Sequence, residues 1–160
     1  MKTIDTALLD TLAQQAQQSP RRRANHNLHT ELADPIQRLA IAMEPDTYVR
    51  PHRHPHTWEL LYSLRGRFLV LHFDEQGTVT GRAILGDGTA VLETPAGTWH
   101  AVLSLDEGGV IFEVKHGPYQ AITDADFAAW SPAAGDAADE LMDWYAAARI
   151  GERFEPAAEA

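Results

Sequence analysis

Three histidines fall within the segment Pro51-His52-Arg53-His54-Pro55-His56, in a chain that has eight histidines altogether. Residues two apart on a strand point to the same face, so His52 and His54 can converge on one point. Glu59 opens the next apolar run, and Pro95-Ala96-Gly97-Thr98-Trp99-His100 puts a further histidine at the start of a strand after a tight turn. Three neutral imidazoles and one carboxylate suit a borderline divalent ion such as Fe, Mn, Ni, Co, Cu or Zn. The His-x-His spacing alone fits a polar loop between prolines equally well. His56 shares the parity of its two neighbours, but Pro55 can bend the chain there. It is expected to be a pocket residue, with ligation in place of His54 as the alternative.

Positioning these residues calls for strands. Between about Ile36 and Lys115, short runs of Val, Leu, Ile, Thr and aromatics alternate with turn residues. The pattern predicts strands over 37–43, 47–50, 58–64, 67–73, 78–85, 89–93, 98–104 and 109–115. Such spacing fits an all-β sandwich or barrel rather than an α/β sheet. Ile4, Leu8, Leu9, Leu12 and Ala16 recur at helical spacing and predict a helix over 4–18, capped by Thr3 or Asp5 and ended by Ser19-Pro20. The tail reads as a short helical segment from Asp124 to Trp130 and a longer one from Asp136 to Arg149. Leu141, Met142, Trp144 and Tyr145 are expected to pack on the barrel's outer surface, and the residues from Glu155 to Ala160 to fray. The organisation expected is one domain over 1–160, with a lead-in over 1–35, a β-core over 36–117 and a helical extension over 118–160.

Composition excludes several classes. The chain of 160 residues has no cysteine, so disulfides, thiolate nucleophiles and iron–sulfur clusters are ruled out, and a metal must sit on nitrogen and oxygen. A net charge of −10 opposes binding along a nucleic-acid backbone. No apolar run is long enough to span a membrane, and Met1 to Ser19 lacks the apolar core of a signal peptide. A cytoplasmic protein is expected. Arg21-Arg22-Arg23 reads equally as a solvated turn or as an anion contact.

The segment His52-x-His54-x4-Glu59-x6-Gly66 resembles the first cupin motif, and Pro95-x-Gly97-x2-His100 the second. Asp46 stands where the first usually opens with glycine, and Ser104 where the second often ends in asparagine. The resemblance implies a double-stranded β-helix, or jelly-roll barrel, with the N-terminal helix and the C-terminal helices packed outside. It also implies one metal held by His52, His54, Glu59 and His100. More narrowly, residues 2–132 are similar to the WbuC-type cupin-fold metalloproteins, a bacterial family often associated with surface-polysaccharide gene clusters. That likeness rests on Ser19-Pro20-Arg21-Arg22-Arg23, Asn27-Leu28-His29, Pro35-Ile36-Gln37-Arg38, Arg50-Pro51-His52-Arg53-His54, the segment around His100, and Phe112-Glu113-Val114-Lys115-His116-Gly117-Pro118-Tyr119.

Four protein ligands on an octahedral ion leave two positions open, and a barrel of this length does not need metal to fold, so a functional site is expected. The expected partner is a small sugar- or acid-like molecule. The metal would act as a Lewis acid in isomerase, epimerase or lyase chemistry; the alternatives are an Fe(II) dioxygenase and a non-catalytic binding module. Glu113, Lys115, Tyr119 and His56 are candidates for proton transfer, although on the strand that holds them the exposed reading of Glu113 and Lys115 is favoured over a polar cavity wall. Gln37 and Arg38 read as edge residues. His26 and His29, beside the arginine run, are candidates for the barrel mouth, and His72 for a structural or surface position. Cupins often pair barrel to barrel, which makes a homodimer the expected assembly.

Overall fold

The computed structural model describes residues 1–155. Eight strands form two antiparallel sheets. The larger has the order β1-β2-β8-β3-β6, from β1 (Arg23–Asn27), β2 (Ile36–Met43), β3 (Glu59–Arg65), β6 (Val91–Thr94) and β8 (Gly109–His116). The smaller has the order β5-β4-β7, from β4 (Phe68–Phe73), β5 (Val79–Leu85) and β7 (Trp99–Ser104). This is the expected cupin jelly roll, with α1 (Thr6–Gln18) and α2 (Asp136–Ala147) packed outside it.

Strand alternation explains the layers. Leu61, Phe68, Val70, Val102 and Ile111 point between the sheets and form the inner core. The other faces of β4 and β7 bury Leu69, Leu71 and Leu103 against Leu141 and Tyr145 of α2. Covered on both sides, these two strands therefore read as nearly continuous apolar runs. On the larger sheet, Ala40, Ala42 and Val110 lie under Leu12 and Ala16 of α1. The small strand residues let the helix approach closely. Asp5 caps that helix, its side chain accepting from the Leu8 N–H at 2.9 Å.

The structure departs from the sequence reading in several places. β1 lies outside the predicted strands, because Arg-Ala-Asn-His-Asn carries no apolar alternation; it forms at a sheet edge through backbone pairing with β2. The stretch 47–50 is not a strand. Thr47 is tied down, its N–H donating to the Glu44 carbonyl and its hydroxyl to that of Arg22, and Arg50 turns toward Ser131. Between Asp124 and Trp130 only Asp124–Asp126 is helical, as a 3₁₀ turn. Gln37 is buried and Arg38 half-buried, and neither is at an edge, since β2 lies between β1 and β8. The expectation of fraying falls, from residue 156 onward, outside the described residues.

Candidate metal centre

Two loops bring the histidines together. The backbones of His52 and His100 exchange hydrogen bonds, N–H to carbonyl at 3.0 and 2.9 Å, forming an isolated antiparallel bridge. The Gly97 N–H donates to the His54 carbonyl at 3.0 Å, so the second motif is laced to the first. Gly97 has φ of 77°, a left-handed conformation that costs an L-residue about 1–2 kcal/mol. Gly97→Ala is therefore expected to destabilise the protein by about that amount, read in a urea titration, and to weaken metal binding by loosening the turn before His100. Glu59 is the first residue of β3 and faces inward with Leu61.

One ligand atom from each of His52, His54, Glu59 and His100 lies within 4.8 Å of the others, so the cluster could hold a metal ion. His54, Glu59 and His100 are buried, while His52 keeps an accessible edge. The donor chemistry fits a cation. His52 Nδ1 lies 2.8 Å from the Arg50 carbonyl and His100 Nδ1 2.9 Å from that of Thr98. A carbonyl only accepts, so both Nδ1 atoms carry hydrogen and both Nε2 atoms present lone pairs. Glu59 Oε2 lies 3.0 Å from His100 Nε2 and 3.4 Å from His54 Nε2, yet it is buried with no hydrogen-bond partner among the described residues. Acceptors facing one another in a buried site need a cation or a proton between them.

The charges around the cluster are strongly coupled. Burial, with His100 beside it, drives His52 down to about 3. Burial opposes charging of His100 too, but the Glu59 carboxylate outweighs it and raises His100 above the ordinary histidine range. Glu59 is held well below the carboxylate range: burial would raise it, but Glu113 and the imidazoles of His100 and His54 win. Burial and the Glu59 charge push Glu113 well above that range, against the pull of Lys115, whose Nζ lies 2.6 Å from Glu113 Oε1. Lys115 is raised: burial works against its charge, and Glu113 and Glu59 overcome it.

A pH dependence follows. A metal needs neutral imidazoles, and His100 holds its proton to higher pH than an ordinary histidine. Binding is expected to release the His100 proton wherever that ring is charged, and affinity to fall steadily as pH drops through the histidine range of about 6.5 and below. Calorimetric titration in buffers of different ionisation enthalpy measures that proton. Metal retained in full at about pH 4 would contradict the ligand set.

The cluster opens on a cavity of about 520 Å³ between the sheets. Its wall includes Glu113 and Lys115, which corrects the favoured exposed reading: Glu113 is only 7% exposed. A period of two cannot separate a half-polar face on water from one lining a polar cavity. Tyr119 also lines the cavity, although it is 53% exposed. His56 lies apart, exposed, its ring 6.3 Å from that of His54, beside a smaller pocket with Arg53 and Asp126. His72 is half-buried, with Nε2 2.9 Å from Thr94 Oγ1. The cavity wall includes His29 but not His26. The wall also includes Arg21 and Arg23, for which the sequence left an anion contact and a solvated turn equally open, and Asn25 and Asn27, which the sequence did not single out because β1 was itself unrecognised.

The fold is that of a cupin jelly roll, and its cluster of three histidines and a glutamate could hold a metal ion. The protein TT1209 from Thermus thermophilus is similar over 72% of this chain and 97% of its own, at 20% identity and a TM-score of 0.54. Oxalate oxidase, solved in complex with the substrate analogue glycolate, is similar over 66% of this chain at 16% identity and a TM-score of 0.52. This chain spans only 56% of the oxidase. No curated protein is significantly similar. The chain belongs to the family described as Domain of unknown function (DUF6016), whose model matches residues 4–85. Among the described residues, no helix is long and apolar enough to cross a membrane.

Proposed function

We propose that His52, His54 and His100, through Nε2, and Glu59, through a carboxylate oxygen, ligate one divalent ion, and that the protein acts on a small sugar- or acid-like molecule bound in the cavity beside it. The observation that carries this reading is the inward-facing set of acceptors around the orphaned Glu59 Oε2. Once bound there, a divalent ion would supply Lewis acidity toward an oxygen of the bound molecule. The chain's own residues supply proton handling. Glu113, on the cavity wall, is pushed toward its protonated form by burial and the Glu59 charge and is the candidate proton donor, and Lys115 Nζ, 2.6 Å away, favours its charged form once a proton has moved. Tyr119 closes the wall from the segment after β8. This arrangement favours isomerase or epimerase chemistry over redox chemistry, because a coupled acid and base stand next to the ligand site.

The finer readings belong to the same proposal: one cupin domain over the whole chain, the WbuC-type family, a link to surface-polysaccharide metabolism, and a cytoplasmic homodimer. The test is a thermal-shift screen of metal-loaded and metal-free protein against uronic acids, aldoses and sugar phosphates, followed by mass spectrometry of each hit. A product of unchanged mass, lost in Glu113→Gln, is the expected result. Oxygen uptake with Fe(II) would indicate the dioxygenase instead, and saturable binding without turnover a binding module. Stabilisation that is equal with and without metal would overturn the proposal.

A further inference from the structure

The cavity has a second polar wall, which the proposed proton chemistry does not use. Arg23, Asn25 and Asn27 alternate onto the cavity face of β1, in register with Met43, Ile41 and Leu39 of β2. Arg21 lines the same cavity. Between the two arginines, Arg22 takes φ of 54°, a left-handed conformation rare for a residue with a side chain. Its own guanidinium is turned away, bonded to Asp46 at 2.9 Å and to the Gln17 carbonyl. Arg22 thus anchors this segment to the body of the protein and leaves its two neighbours at the cavity.

Those two neighbours differ from the ion-paired arginines of the molecule. Arg22, Arg38, Arg53, Arg65 and Arg67 each pair with an aspartate. Arg21 and Arg23 have no ion-pair partner among the described residues, in a chain whose net charge is −10. Beyond the other end of β1, His29 is 4% exposed and lines the cavity. Its Nδ1 lies 2.9 Å from the Arg38 backbone nitrogen and 3.0 Å from the Arg38 carbonyl. That carbonyl already accepts from the Leu28 N–H at 2.8 Å, whereas the Arg38 N–H needs an acceptor. Nδ1 therefore accepts, which puts the ring hydrogen on Nε2. That Nε2 is buried without a partner among the described residues. Guanidinium groups and a fixed N–H are donors only, and their complement is an oxygen-rich anion.

We propose that Arg21 and Arg23 form an anion subsite at one end of the cavity, so that the molecule taken here carries a phosphate or carboxylate group there, while His29, beyond the other end of β1, is a separate fixed donor. The uncharged body of such a ligand lies over Leu39 and Ile41. Asn27 stands across Leu39 from Glu113, two strand spacings or about 10 Å away. Arg23 stands across Met43 from Gly109, whereas Glu59 pairs with Lys115, six residues further along β8, so the backbones of the arginine end and the metal end are roughly 20 Å apart and a ligand that touches both is elongated. This inference deepens the proposed function and rests on it for the metal-facing end only.

The test uses inorganic phosphate and acetate as probes, titrated into metal-free and metal-loaded full-length protein and followed by NMR. The Nε–H signals of Arg21 and Arg23 are expected to move saturably, while those of Arg65 and Arg67 stay still. Preference for phosphate or for acetate identifies which anion the subsite favours. Arg21→Gln/Arg23→Gln is expected to weaken the probe's binding about tenfold or more, and Arg21→Lys/Arg23→Lys to weaken it less. Unchanged dispersion of the β-sheet amides checks that each variant folds. Arginine signals that do not saturate, or that move equally across the surface, would overturn the subsite. Metal bound with no arginine response sinks this inference alone; a saturable response in a protein that takes up no metal sinks the metal proposal alone.

Discussion

Replacing His52 and His100 together by alanine is expected to lower divalent-metal affinity by more than about a hundredfold, because loss of an outer-shell partner alone costs roughly 10–100-fold. These two side chains are the ones whose Nδ1 atoms are tied to backbone carbonyls, at 2.8 and 2.9 Å, so their Nε2 lone pairs are aimed before any ion arrives. Removing them leaves His54 and Glu59, too few donors for a stable site in competition with water. The β-fold is expected to survive, since the inner core of Leu61, Phe68, Val70 and Ile111 does not depend on either ring. Competition against a fluorescent chelator gives the affinity, and circular dichroism the fold. A double variant that binds metal like the wild type would move the site elsewhere.

The largest stability effect is expected at Phe68. It is fully buried at the start of β4, between the two sheets, and its Cζ comes within 2.9 Å of where a Cβ on Gly109 would stand. Phe68→Ala removes most of that side chain from a close-packed layer that cannot collapse without moving both sheets. The expected cost is about 3–5 kcal/mol, a large part of a domain's typical stability of about 5–15 kcal/mol. The melting temperature should fall by about 10 °C or more. Metal stoichiometry of the folded fraction should stay at the wild-type value, because Phe68 touches the packing and not the ligands. A change below about 1 kcal/mol would mean that the inner layer is loosely packed.

How much of this was legible in the sequence depended on what each residue answers to. His52, His54, Glu59 and His100 came together only through the family resemblance: the His-x-His spacing fitted a polar loop equally well, and residues 53–58 form no strand, His52 holding only an isolated bridge to His100. Strands β4 and β7 announced themselves through apolar runs buried on both faces. β1 did not, because its inner face, Arg23, Asn25 and Asn27, looks into a polar cavity rather than a core. The same cavity concealed the burial of Glu113 and Lys115 on β8. Polar residues facing an internal cavity and polar residues facing bulk water give one and the same pattern; only the closure of the barrel, through long-range pairing of β8 with both β2 and β3, tells them apart.

The central claim is most directly tested by anomalous diffraction from crystals of untagged protein loaded with Zn(II) or Mn(II), measured at the absorption edge of the metal. One strong anomalous peak is expected, at about 2.0–2.2 Å from the His nitrogens and the Glu59 oxygen. A peak at another set of residues, or none at the cluster of His52, His54, Glu59 and His100 in fully loaded crystals, would contradict it.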